Sequence, residues 1–211
     1  MLVVDCETTA IEGVAALVQP ARNLTDPAKI QASIAERIEE AALNPWTARI
    51  VALGCCPEGG DAVKVWTANA EAFERTALRE FWEVVEDGRG NVLPLVTFNG
   101  RGYDLPLLMV RSMLLGVRYP TLNLDRYRSP HVDLVDRLTF GGSLERKHLR
   151  SLKWYAQRFG LNTDDAFSGA FVAQLVQDGN WDAIVKHCES DVTLTRQLGE
   201  RLGVLKARKA A

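Results

Sequence analysis

The sequence contains no apolar run near the ~18 residues that a membrane-spanning helix requires, so nothing in it reads as membrane-embedded. Its only cysteines are Cys6, Cys55, Cys56 and Cys188, with two adjacent and no CxxC pair, which argues against both a zinc site and a disulfide framework. The opening segment lacks the basic flank and unbroken apolar stretch of a secretion signal, because Asp5 and Glu7 interrupt it. A reducing cytoplasm is the expectation. Repeats, low-complexity tracts and linker-like stretches are also missing. The 211 residues are therefore expected to form a single domain over 1–211 with a real core.

Charge is close to balanced overall, at a net -2, but it is segregated along the chain. Residues 1–100 carry 8 Lys/Arg against 15 Asp/Glu, whereas residues 101–158 carry 11 against 5. A basic middle in a slightly acidic protein points to a polyanion on one face, with a solvated charged surface as the plainer alternative.

Strand and helix patterns alternate. Leu2-Val3-Val4 reads as a buried strand ending near Asp5, followed by a mostly helical insertion around 10–47. "RIVALGCC" and "AVKVWT" flank the turn signal "PEGGD" and predict a hairpin. Residues 69–87 have helical spacing, with Asn69 as cap and Phe73, Leu78, Phe81, Val84 and Val85 on the buried side. "NVLPLVTF" is a further strand, despite Pro94, and the final third is helical. The interleaving predicts an α/β fold, a sheet flanked by α-helices.

Three places carry charge where an element's pattern does not want it. Asp5 and Glu7 project to one face if the first strand continues that far, and two such carboxylates repel unless a cation lies between them. Asp104 is expected to cap a helix beginning at Leu105-Pro106, at a sheet edge where ligands gather. Asp191 falls on the buried stripe Ile184, Cys188, Thr195, Leu198, Leu202, Leu205, with His187 one turn before it. An uncompensated carboxylate there costs several kcal/mol, on the order of other buried charges. A structural His–Asp pair is one account of it. A cluster of hard oxygen ligands that selects Mg²⁺ or Mn²⁺ over zinc is the other, and it covers all four carboxylates at once. Two such ions form the clamp used for in-line displacement at phosphorus.

The order "DCETT", "FNGRGYDLPLL", "HCESDVTLT" resembles the three motifs of the DEDD (DnaQ-like) 3′–5′ exonuclease superfamily, most nearly the predicted exonucleases related to the proofreading domain of family-B DNA polymerases. "ALNPWTARIVALG", "SLKWYAQRFGL" and "SGAFVAQL" extend the resemblance over nearly the whole chain. It implies a ribonuclease H-like fold with a central mixed β-sheet. It further implies two divalent ions, Mg²⁺ or Mn²⁺, held by Asp5, Glu7, Asp104 and Asp191, with His187 as a further catalytic residue. The implied reaction releases nucleoside 5′-monophosphates from the 3′ end of single-stranded DNA, favoured over RNA. Thr8 would lie near the terminal 3′ hydroxyl and Asn99 at the penultimate nucleotide, with Trp154 and Tyr155 offering stacking surface. The alternatives are an RNA-trimming exoribonuclease and a non-catalytic nucleic-acid-binding module. One residue departs from the pattern: His187 stands four places before Asp191, the spacing of the superfamily's tyrosine subtype, whereas its histidine subtype has His five places before.

Overall fold

Leu2, Val3, Val4 and Cys6 are all buried, so the chain opens on a strand covered on both faces. In the computed structural model, which describes residues 1–60, 62–87, 89–162 and 168–207, this strand, β1 (Leu2–Ala10), does not end near Asp5. It continues because β2 (Ala48–Pro57) pairs antiparallel with it from Leu2 to Ala10, with a register shift between Glu7 and Thr8. The predicted hairpin is present, as β3 (Lys64–Thr67) pairs antiparallel with β2. On the other side of β1, the short strands β4 (Leu95–Thr97) and β5 (Val132–Asp133) run parallel to it. The sheet order is β3-β2-β1-β4-β5, a mixed five-stranded sheet with β1 at its centre.

Alternation along β1 sorts its side chains between two helical layers. Leu2, Val4 and Cys6 pack with Leu78, Phe81, Trp82 and Val85 of α2 (Glu71–Val85) and with Leu105, Leu107 and Leu108 of α3 (Asp104–Leu114). Val3 faces the opposite layer, where α4 (Leu134–Leu138), α5 (Leu152–Arg158) and α7 (Trp181–Arg201) contribute Leu134, Leu152, Ala156, Val192, Leu194 and Leu198. α6 (Val172–Gln177) adds Val172 and Leu175 against Val51 and Ala52 of β2. Asp5 and Glu7 share the parity of Val3, so they point toward α7, whereas Cys6 points toward α3. α7 lies close on the sheet because β2 has a glycine beneath it: a Cβ at Gly54 would sit 2.7 Å from Cys188 Sγ.

Residues 11–47 include a 3-10 turn at Val14–Ala16, α1 (Pro27–Glu39), begun by an Asp26 side-chain cap, and a second 3-10 turn at Glu40–Leu43. Local details differ from the sequence reading. α2 is capped at Ala70 rather than Asn69, without a side-chain bond, and Phe73 is exposed, because the buried stripe runs through Glu74, Ala77 and Leu78 instead. Asp104 is the first residue of α3, with Tyr103 at the cap position. β4 starts after Pro94, whose carbonyl accepts from Leu2 N. α7 ends at Arg201, and Leu205 folds back from the following turn to be buried. All four cysteines are buried thiols, none in a disulfide. No helix among the described residues is long and apolar enough to cross a membrane.

Glu74 is in the stripe for a reason. Its carboxylate takes Arg111 Nε at 2.7 Å and Nη2 at 2.8 Å, a two-pronged pair between α2 and α3, and also accepts from Ile50 N at 3.0 Å. Glu74 is 0% exposed and Arg111 6%, so neither charge has water to fall back on. Arg111→Ala is expected to destabilise the fold by about 3 kcal/mol or more in urea unfolding, because it strands a buried carboxylate. Replacing both partners by Gln and Met should cost less than that single change.

Candidate active site

The parity of β1 and the face of α7 bring three groups together. Ligand atoms of Glu7, His187 and Asp191 all lie within 4.8 Å of one another. His187 Nε2 is 3.4 Å from Glu7 Oε1, and both side chains are buried. Four-residue spacing puts His187 and Asp191 on one helical face, so the histidine is turned onto β1 as well as toward the aspartate. A His–Asp pair alone is therefore an incomplete description, because Glu7 borders the imidazole as well.

Asp5 and Asp104 stand outside that group of three but act on it. Asp5 is half-buried, and its carboxyl is raised well above the usual range by burial first, then by the charges of Glu7, Asp104 and Asp191. Asp104 is buried at the start of α3 and is pushed up to about 6, mainly by burial, against the opposing effect of a hydrogen bond from Cys6. Cys6 Sγ donates to Asp104 Oδ1 at 2.9 Å; burial and the Asp104 charge hold the thiol in its protonated, donating form. Four carboxylates from β1, α3 and α7 thus feel one another across the sheet's centre, with one imidazole among them. That donor set, rich in hard oxygens, fits a divalent cation.

The two residues expected to touch substrate lie at the margins. Thr8 follows the register shift in β1, and its hydroxyl donates to Ala42 O at 2.9 Å, a carbonyl also bonded by the Tyr103 hydroxyl. Its side chain therefore braces the 3-10 turn at Glu40–Leu43 against the loop ahead of α3. Asn99 is exposed on that loop with a left-handed backbone (φ 62°). Asp133 holds it there, accepting from Asn99 N at 2.8 Å, Arg101 N at 3.1 Å and Val135 N at 3.0 Å. Sequence reasoning missed Asp133 and Cys6. "HVDLV" did carry a signal for the first, an aspartate at a strand end two residues before a helical N–H.

Comparisons with known proteins bear on the family and the fold. A family described as "predicted 3′–5′ exonuclease related to the exonuclease domain of PolB" matches residues 43–207. That span holds Asp104, His187 and Asp191, while Asp5 and Glu7 precede it and join them through the pairing of β1 with β2. No curated protein matches the sequence. Among solved structures, the family B DNA polymerase from the hyperthermophilic archaeon Pyrobaculum calidifontis is similar at 19% identity and a TM-score of 0.65, over 95% of this chain and 24% of that one. The likeness is one of fold, and it bears out the expected ribonuclease H-like α/β sheet.

The raised carboxyls fix a pH dependence for the metal-free protein. A carboxyl whose folded-state value exceeds its unfolded one stabilises the fold below the unfolded value and loses that contribution as pH rises through the folded one. For Asp104 the window runs from 3.8 to about 6, and Asp5, raised in the same direction, adds a loss of the same sign. Urea unfolding in EDTA should show stability falling across this window, and Asp104→Asn should flatten the fall. A wild-type slope of the opposite sign there would refute the account.

Proposed function

We infer the function from one premise, that the chain belongs to the family of predicted 3′–5′ exonucleases related to the exonuclease domain of PolB. Asp5, Glu7, Asp104 and Asp191 hold two divalent ions, Mg²⁺ or Mn²⁺, at the end of a single-stranded DNA substrate. The observation that carries this reading is the convergence of Glu7, His187 and Asp191 within 4.8 Å beside the raised carboxyl of Asp5. For so many carboxylates on three elements to be ionised together, cations must balance them. When bound, such ions supply positive charge to the attacking and leaving oxygens of a phosphodiester.

The chain's own residues supply the rest. β1 fixes Asp5 and Glu7 on one side and α7 fixes Asp191 on the other, which confines the reacting phosphate between rigid elements. His187, buried against Glu7, orients the attacking water or takes its proton. Asn99, on the loop pinned by Asp133, contacts the penultimate nucleotide, and the Thr8 backbone lies near the terminal 3′ hydroxyl. The products are nucleoside 5′-monophosphates released from the 3′ end.

End-labelled DNA and RNA oligonucleotides, incubated with Mg²⁺, Mn²⁺ or EDTA, test the reading directly. Stepwise loss from the 3′ end that EDTA abolishes supports it, and a 3′ phosphate should slow it sharply. Preference for RNA would favour the exoribonuclease alternative, and binding without cleavage the non-catalytic one. Asp104→Asn and Asp191→Asn should each remove metal-dependent cleavage while leaving a folded chain. Near wild-type turnover in either variant would overturn the assignment of that carboxylate.

His187 is tested separately. If it acts on the attacking water, His187→Ala should lose at least about a hundredfold in turnover. His187→Tyr restores the residue usual at this spacing and should recover part of it. A purely structural role beside Glu7 would appear instead as lost stability with a small change in rate.

A further inference from the structure

Beyond the carboxylates, the loop that carries Asn99 forms one wall of two adjoining clefts. One, of about 400 Å³, is lined by residues including Asn99, Arg101, Gly102, Asp133, Asp136 and Leu144. The other, of about 470 Å³, shares Arg101, Asp133 and Asp136 with it and extends to Tyr127, Arg137 and Phe140. Arg126 borders both. The clefts therefore form a path leading away from the start of α3, where Asp104 stands.

The chemistry along the path is specific. Arg101 Nη1 is 2.8 Å from Asp136 Oδ2, and Arg126 pairs with the other oxygen of the same carboxylate. Two guanidiniums thus share one negative charge, and exposed Arg137 adds a third cation. Two further acids line the path: Asp133 is buried and turned onto three backbone N–H groups, and exposed Glu145 is balanced by Lys147, 2.8 Å away. His131 is kept below its usual range by burial and by Arg101, and its Nδ1 accepts from Leu95 N, so it adds no charge. The balance facing solvent is cationic, in keeping with the basic stretch 101–158.

Two aromatic rings stand over this path with almost nothing packed on them: Tyr127 is 84% exposed and Phe140 74%. Tyr127 is held by a turn in which Asp125 Oδ1 accepts from Tyr127 N and Arg128 N. Phe140 has a left-handed backbone at φ 52°, followed by Gly141 at 70° and Gly142 at 87°. A phenylalanine in that region is strained, and burial of the ring does not compensate it here. Gly142 has its own reason to be glycine, since side-chain-bearing residues rarely adopt φ 87°. The loop spends backbone strain to hold a bare ring beside guanidiniums. A small anion needs no ring, and an apolar ligand needs no arginines. A nucleic-acid strand uses both, through its phosphates and the faces of its bases.

We propose that this cleft binds single-stranded nucleic acid upstream of the 3′ end, with phosphates on Arg101, Arg126 and Arg137 and bases stacked on Phe140 and Tyr127. The inference rests on the nuclease reading of the site and adds to it a second region of strand contact. Its consequence is length dependence: strands that reach the cleft are held more tightly than a dinucleotide.

The test is binding by fluorescence anisotropy in EDTA, with labelled oligothymidylate and oligouridylate from a dinucleotide to long strands. Phe140→Gly is the informative variant, because glycine accepts the left-handed backbone and the chain should melt at or above the wild-type temperature. It should weaken binding of long strands about tenfold, as should Tyr127→Ala, with the deficit vanishing as the strand shortens. Arg126→Ala should lower the salt dependence by about one counterion. If Phe140→Gly binds long strands like the wild type, or weakens the dinucleotide equally, the cleft is not an upstream strand site. If the folded wild type neither degrades nor binds DNA or RNA, the nuclease reading itself fails, and this inference with it. Wild-type degradation from the 3′ end with indifferent cleft variants would overturn the cleft alone.

Discussion

Mutual repulsion among carboxylates at the centre of the sheet is the constraint to which the rest of the structure answers. At an effective permittivity of about 20, two unit charges about 4 Å apart repel by roughly 4 kcal/mol, and burial adds to that. Asp5 shows the strain most directly, its carboxyl raised by desolvation and by three neighbouring acids. A flexible site would relax by swinging the acids apart into water. Here they come from a central strand, the first turn of α3 and the middle of α7, elements whose buried faces pack into the core.

That rigidity is assembled from polar contacts as much as from the core. The Glu74–Arg111 pair ties α3 to α2 and, through Ile50 N, to β2. The thiol of Cys6 reaches Asp104 through the face of β1 opposite to Glu7, so one strand positions acids on both helical layers. The Tyr103 hydroxyl and Thr8 meet at the Ala42 carbonyl, which fastens the loop ahead of Asp104 to the segment between β1 and β2. Each of these bonds is buried or half-buried, where a lost partner costs more than a surface contact would.

The sequence makes the α/β class, the β2–β3 hairpin and the long helix α7 legible, because alternation and three-four spacing are local signals. The four acids and His187 are legible because each violates the pattern of its own element, as Asp191 does on an otherwise apolar stripe. What stays hidden depends on pairing across the chain. The length of β1 is decided by β2, some forty residues later, so no property of Asp5 itself marks where the strand ends. Phe73 fits the apolar period as well as Ala77 does, but the face actually buried is set by the Glu74–Arg111 bond, a partnership between residues on different helices. Asp133 and Cys6 act on the site through contacts that no spacing rule contains.

The four-residue spacing of His187 and Asp191 also has a geometric meaning. A shift of one residue along a helix turns a side chain by about 100°, so the two spacings cannot present an imidazole to the same point. In this chain the four-residue spacing aims His187 at Glu7 on β1, at 3.4 Å, and keeps it over Asp191 in the same turn. A tyrosine at that place would carry its hydroxyl farther from the helix than an imidazole carries its nitrogen. The shorter side chain is matched by proximity: Gly54 lets α7 settle closely on β2, with Cys188, the neighbour of His187, directly over it. A larger residue at Gly54 would meet Cys188 and Val192 and push α7 off the sheet, moving both His187 and Asp191 away from β1.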